Sequence, residues 1–270
     1  MRIRNFLIIG ASLLLVAGCG HTDKKQARTA GQHAQMERDA KAKAAPSPPA
    51  PRKIDCTRVK CVSLTFDDGP GPYTARLLDT LKSSGARATF FMLGENVHAH
   101  QDVVRRMALE GHELANHSWS HPDLTSVSSS ELQSQIQHTQ QVIKQASGVA
   151  PTLVRPPYGA TNKKVGQAIG MPLILWSVDT LDWRYRSVAR DTKVGVKKPT
   201  SGGIVLFHDI HKQSVDSIPK VVAGLKQRGF TFVTVSELFQ GERLQPGQTY
   251  VQRTHPAQAV TGSPSPSASP

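Results

Sequence analysis

Seven short apolar runs, each stopped by a polar or turn-forming cluster, limit what this chain can fold into. They occupy residues 59–66, 89–93, 113–116, 153–155, 173–178, 204–207 and 231–235. Runs this short and this apolar read as strands buried on both faces, the habit of parallel sheets. Amphipathic stretches lie between them. Residues 74–83 present Leu77, Leu78 and Leu81, and residues 101–110 present Val103, Val104 and Met107. Ser128-x-x-Glu131 has the form of a capping box and opens a helix with Leu132, Ile136 and Ile143 on one face. Pro219 reads as the start of a helix and Gly229 as its end. The alternation predicts an α/β fold, with about seven parallel strands closing into a barrel smaller than the eightfold one. In such barrels the chemistry sits at the C-terminal mouths of the strands.

The polar clusters that end the runs carry chemistry. Thr65-Phe66-Asp67-Asp68-Gly69-Pro70 puts two carboxylates where the first run turns. Adjacent strand residues face opposite ways, so one acid can hold a metal while the other moves a proton. Alone, Asp-Asp-Gly-Pro is an ordinary solvated turn. The second cluster changes that reading. His117-Ser118-Trp119-Ser120-His121 spaces two imidazoles so that both reach one ion, from a helical turn or a tight loop. One Asp and two His form a three-ligand set with a position left for water, the pattern of a catalytic metal.

Three more clusters follow. They are Arg155-Pro156-Pro157-Tyr158-Gly159, Asp179-Thr180-Leu181-Asp182-Trp183 and Leu206-Phe207-His208-Asp209. Taken in this order, the five motifs resemble those of the polysaccharide deacetylases, carbohydrate esterase family four. The likeness spans roughly residues 54–240.

The resemblance implies a distorted (β/α) barrel and hydrolytic removal of acetyl groups from N-acetylated glycans. It implies that Asp68, His117 and His121 bind a divalent metal, zinc first and cobalt or another first-row ion as substitutes. Asp67 would be the general base and His208 the acid that protonates the leaving amine. The backbone N–H of Tyr158 would help hold the oxyanion. Leu206 would line the pocket for the acetyl methyl, and Trp183 would offer a flat face to a sugar ring. Arg155 should pair with a carboxylate, Asp67 first. Asp179 is left with two readings, clamping Arg155 or orienting His208. Two other functions stay open: an O-acetyl xylan esterase using the same site, and a non-catalytic glycan-binding relic. A serine hydrolase is disfavoured, since no Gly-x-Ser-x-Gly elbow is present.

The ends of the chain suggest where it works. Residues 1–18 carry Arg2 and Arg4, an apolar core and then small residues, the form of an export signal. Val16-Ala17-Gly18-Cys19 resembles a lipobox, so Cys19 is expected to carry a lipid that anchors the protein to a membrane. Residues 19–53 read as a disordered, Pro-rich basic tether, with eight Lys or Arg against three Asp or Glu after Cys19. Residues 54–240 form the catalytic domain, and 241–270 a disordered Ser/Pro tail. Much of the net charge of +13 therefore lies outside the fold, and nucleic acid is a poor partner for it. An anionic cell wall suits an exported, anchored monomer better, which favours peptidoglycan N-acetylglucosamine over chitooligosaccharides. Of the three cysteines, Cys56 and Cys61 remain as a pair expected to bridge in an oxidising compartment. Their spacing is not that of a Cys-x-x-Cys redox motif.

Overall fold

The computed structural model describes residues 47–254. Cys19, the signal segment, residues 19–46 and residues 255–270 lie outside this range.

In chain order the elements are β1 (Lys60–Asp67), α1 (Thr74–Ser83), β2 (Thr89–Met92), α2 (Gly94–Ala99), α3 (Gln101–Leu109) and β3 (Glu113–Asn116). Then come α4 (Ser129–Ser147), α5 (Lys163–Ile169), β4 (Leu173–Ile174), β5 (Val178–Asp179), α6 (Asp182–Tyr185) and α7 (Val188–Lys197). The chain continues through β6 (Gly203–His208), α8 (Lys212–Gln227), β7 (Phe230–Phe232), α9 (Val235–Leu238) and β8 (Thr249–Tyr250).

All ladders between these strands are parallel. β1 is central and buried at every position after Lys60. On one side it pairs along its length with β6. On the other, its first half pairs with β7 and its second half with β2. Single bridges from Asn116 to Val154, and from Val154 to Leu173, carry the pairing from β3 round to β4. The chain then leads to β5, which returns to β6. This is a distorted (β/α) barrel.

Its distortion has a local cause. The run at 173–178 breaks into β4 and β5, and the run at 153–155 shrinks to Val154. The buried Arg155 guanidinium takes the carbonyls of Ile174 and Leu175, at 2.9 and 3.0 Å. Those acceptors would otherwise serve a ladder.

The core follows the predicted faces. Leu77, Leu78 and Leu81 of α1 are buried, as are Leu132, Ile136 and Ile143 of α4. Phe66 stacks on Phe90 and Phe207, with ring centroids 5.3 and 5.9 Å apart, tying β1 to both neighbours. Ser128 caps α4 by accepting from the Glu131 N–H at 3.1 Å. Glu131 instead accepts from Gln135 at 2.8 Å, so only half of the expected box forms. Pro219 does not start a helix but lies inside α8. Val215, Ile218, Val221, Val222 and Leu225 are buried on both sides of it, and that shared apolar face outweighs one lost backbone bond.

Both ends of the fold reach further than the sequence reading drew them. Arg52 donates to the buried Glu237 and, at 2.7 Å, to the Phe232 carbonyl, so the chain joins the barrel before residue 54. At the other end β8 pairs with β4, and the Arg253 N–H donates to the Gly202 carbonyl at 2.8 Å. A Cβ at Gly202 would stand 2.2 Å from the Arg253 oxygen, so this approach needs glycine. Residues 241–254 therefore belong to the fold, because the split leaves β4 with an edge that β8 satisfies. Cys56 and Cys61 are bridged, with Cα atoms 5.5 Å apart at the entry to β1. Among the described residues no helix is long and apolar enough to cross a membrane.

Candidate active site and metal centre

The five motifs converge at the mouth where β1, β3, β5 and β6 end. Asp67 is the last residue of β1, in register with His208 at the end of β6. Asp68 leaves the strand with φ of 70°. Its N–H donates to the Phe91 carbonyl at 3.1 Å, and its own carbonyl accepts from Asn96 at 2.7 Å. The left-handed backbone, which Asp tolerates better than most residues, is held from both sides. The next residue, Gly69, lies against the buried Asp209 carboxyl, where a Cβ would meet Oδ2 at 2.2 Å. Thr74 donates its hydroxyl proton to the same carboxyl, and burial pushes Asp209 up to about 7.

His117 and His121 follow β3 on a tight loop, not a helix. Ser118 and His121 have φ of 70° and 64°. The loop is closed by the Ser118 N–H to Asn116 Oδ1 at 2.8 Å and by the His121 N–H to Ser118 Oγ at 3.1 Å. His117 Nδ1 lies 2.6 Å from the Arg155 carbonyl. A carbonyl only accepts, so Nδ1 carries the proton and Nε2 presents a lone pair. Burial holds the His117 pKa down to about 3, which keeps the ring neutral. Nε2 of His117 and Nε2 of His121 lie 3.6 and 3.7 Å from the same oxygen, Asp68 Oδ1. That oxygen is buried and has no hydrogen-bond partner among the described residues. A buried carboxylate oxygen facing two imidazole nitrogens is short of a cation. The three groups offer ligand atoms within 4.8 Å of one another, and the Asp–His–His donor set fits a divalent metal.

Asp67 sits beside this set, with Oδ2 3.6 Å from His117 Nε2. Its other oxygen accepts from Arg155 Nη1 at 2.6 Å. Arg155 is fully buried. Beyond Asp67 and the two carbonyls, it donates to Thr65 Oγ1 at 2.8 Å and lies over the Phe91 ring at 4.0 Å. Burial pushes the Asp67 carboxyl above its ordinary range, against the pull of Arg155.

His208 is held by Asp182, not Asp179. Its Nδ1 lies 2.9 Å from Asp182 Oδ1, and its backbone N–H donates to Asp182 Oδ2 at 2.7 Å. Ser214 donates to Oδ2 as well, at 2.5 Å. Burial opposes the charged imidazole, but the Asp182 hydrogen bond and charge, with Asp67 and Asp68, push His208 up to about 9. Asp179 lines the same cavity, yet its carboxylate accepts from the Leu181 N–H at 2.7 Å. Among the described residues it hydrogen-bonds neither Arg155, which is held by Asp67, nor His208, which is held by Asp182. Leu181, at φ of 54°, turns the chain so that Asp182, three residues after Asp179, swings under His208. Asp182 stood in the same motif, and no pattern in the sequence ranks one acid over the other.

The cavity above these groups has a volume of about 540 Å³. Leu206, Tyr158 and Trp183 line it as expected positions. Tyr158 has φ of 61°, and its ring lies 4.4 Å from that of His121. Trp176, Arg186, Ile210 and His211 line it too, and sequence reasoning did not single them out.

The family model described as polysaccharide deacetylase matches residues 54–171. A peptidoglycan-N-acetylglucosamine deacetylase of Listeria monocytogenes is 47% identical over 196 residues, covering 72% of this chain and 42% of that protein. The chain thus spans less than half the length of that relative. Among solved structures, a T48 deacetylase with substrate is 43% identical with a TM-score of 0.72, covering 73% of this chain and 99% of that one. A family 4 acetyl xylan esterase from Clostridium thermocellum, in complex with a cobalt ion, is 30% identical with a TM-score of 0.69, covering 72% and 98%. The chain belongs to the polysaccharide deacetylase family.

Proposed function

We propose that this chain is a metal-dependent deacetylase that removes acetyl groups from N-acetylated glycans, with peptidoglycan N-acetylglucosamine as the first substrate and chitooligosaccharides next. One observation carries the reading: the orphaned Asp68 Oδ1 opposite His117 and His121, flanked by Asp67 on one side and by the His208–Asp182 pair on the other.

Asp68, His117 and His121 would hold a divalent ion, zinc first. When bound it supplies Lewis acidity, drawing charge from the acetamide carbonyl and lowering the pKa of water. Asp67, kept in place by Arg155, takes the proton from the attacking water. The water oxygen bonds to the acetyl carbon, and the Tyr158 backbone N–H donates to the carbonyl oxygen as negative charge grows there. His208, held protonated at neutral pH by Asp182, gives its proton to the sugar nitrogen. The C–N bond then breaks, leaving acetate and a free amine. Leu206 packs against the acetyl methyl and Trp183 against a sugar face.

The His208–Asp182 pair supplies the proton without which an amine cannot leave, so it meets the greater demand of amide cleavage. A lipid on Cys19 and a site facing the cell wall complete the proposal. Intact-mass measurement of the protein from its membrane tests the lipid. The function is tested by incubating the protein with N-acetylated muropeptides, chitooligosaccharides and acetylated xylooligosaccharides in parallel. Mass spectrometry should show acetyl loss from the amino sugars. Loss from xylooligosaccharides alone would replace the reading with an ester hydrolase, and loss from none would leave a glycan-binding relic.

A further inference from the structure

The rim of the cavity is cationic on one side. Trp183, Arg184, Tyr185 and Arg186 are all exposed on the short α6 turn, and Trp183 and Arg186 line the cavity. Arg186 has φ of 47°, a conformation that brings it back alongside its own turn. Its backbone N–H donates to the Asp182 carbonyl at 3.1 Å, and its side-chain Nε donates to the Trp183 carbonyl at 2.8 Å. The guanidinium is thus tied to the Trp183 backbone while its terminal N–H groups keep their donors. Its charge reaches the cavity wall. Burial first, and then Arg186 and His208, hold the neighbouring His211 down to about 4.

More cations follow in the sequence. Residues 184–198 contain six Arg or Lys and a single carboxylate, Asp191. Asp191 is fully buried, so it cannot meet a ligand at the surface. Arg190, Lys193 and Lys197 recur at helical spacing on α7.

We infer that Arg186 is a specificity-determining residue that pairs with a carboxylate on the glycan, so that the preferred strand carries acidic substituents next to the reacting sugar. The inference rests on the deacetylase reading and deepens it. A sugar ring stacked on Trp183 sets its substituents beside a guanidinium tied to that residue's own carbonyl. A planar fork there suits a carboxylate, whose bidentate, charge-assisted bonds are stronger than those to the hydroxyls of a neutral glycan. The acid can come from an ether-linked lactyl group on the sugar, as in N-acetylmuramic acid, or from a peptide attached to it.

The test measures binding of β-1,4-linked tetrasaccharides to the full chain by calorimetry. The ligands are an alternating N-acetylglucosamine–N-acetylmuramic acid strand, the same strand with its carboxylates amidated, a peptide-bearing strand, and tetra-N-acetylchitotetraose. The wild type should bind a carboxylate form about five- to tenfold more tightly than its amidated or neutral counterpart. Added salt should shrink that ratio. Arg186→Gln keeps a donor for the Trp183 carbonyl and should bring the ratio close to one, while Arg186→Lys should keep part of it. Preference for the peptide-free strand supports the inference with the sugar as the acid's source, and preference appearing only with peptide supports it with the peptide as source. A wild type without preference, or an Arg186→Gln protein that keeps it fully, overturns the inference. Amine formation, followed separately, tests the deacetylase reading. Turnover without acid preference would leave that reading standing and remove this one.

Discussion

Asp68 and Glu237 are both carboxylates held inside this protein, at opposite ends of the barrel, and their surroundings differ in kind. Glu237 lies at the bottom, where its two oxygens accept from Arg52, Arg87 and the Thr234 N–H. It also completes a capping box on α9. Asp68 lies at the mouth, with Oδ1 unpartnered among the described residues and its backbone in the left-handed region. Ser118, His121 and Tyr158 around it share that conformation. The bottom satisfies its charges and holds the fold, while the mouth leaves a charge and several backbones unrelaxed around a place for a ligand.

If that contrast holds, damage at the two ends should separate. The largest effect belongs to the mouth. Asp67→Asn should lower kcat at least ~10²-fold while metal content, measured by atomic emission, stays at the wild-type level. His121→Ala should lose metal as well as activity, with a melting temperature near the wild-type value, since its loop sits outside the core. A variant that lost activity and fold together would erase the distinction. At the bottom, Glu237→Gln leaves two guanidinium groups short of their partner and should cost about 3 kcal/mol in denaturant unfolding. Its kcat per folded molecule should match the wild type. The disulfide closes a short loop, so Cys56→Ser should cost less, about 2 kcal/mol.

The smallest shift sharpens the comparison within the mouth. His208 is held at about 9, above its free value, so its charged form is favoured at neutral pH and lost as pH rises through that value. As the acid, it should give kcat/KM an alkaline limb near there. Asp182→Asn removes the charge that raises it, and the limb should move toward neutral pH. An unmoved limb would take His208 out of the acid role.

How much of this was legible in the sequence follows the same divide. Strand and helix faces such as Leu77, Leu78 and Leu81 were readable because burial depends on periodicity. The convergence of Asp68, His117 and His121 was readable because motifs that end parallel strands share one mouth. Partnerships set by three-dimensional turns were not. Asp182 displaces Asp179 under His208 because of one left-handed residue, Leu181, a position where the sequence has neither Gly nor Asn to announce it. Nor was the splitting of β4 from β5, since it depends on Arg155 reaching two carbonyls about twenty residues away. β8 was hidden for the same reason, because the edge it covers exists only once that run is split.

The central claim is that the Asp68, His117 and His121 cluster binds a metal on which deacetylation depends. It is tested most directly by stripping the protein with a chelator and titrating zinc back, with metal content and free amine on an N-acetylated glycan measured in the same samples. Amine formation should be lost on stripping and return in proportion to bound zinc, levelling at a single equivalent, while His121→Ala regains neither. Full activity in protein shown to be metal-free would contradict the account.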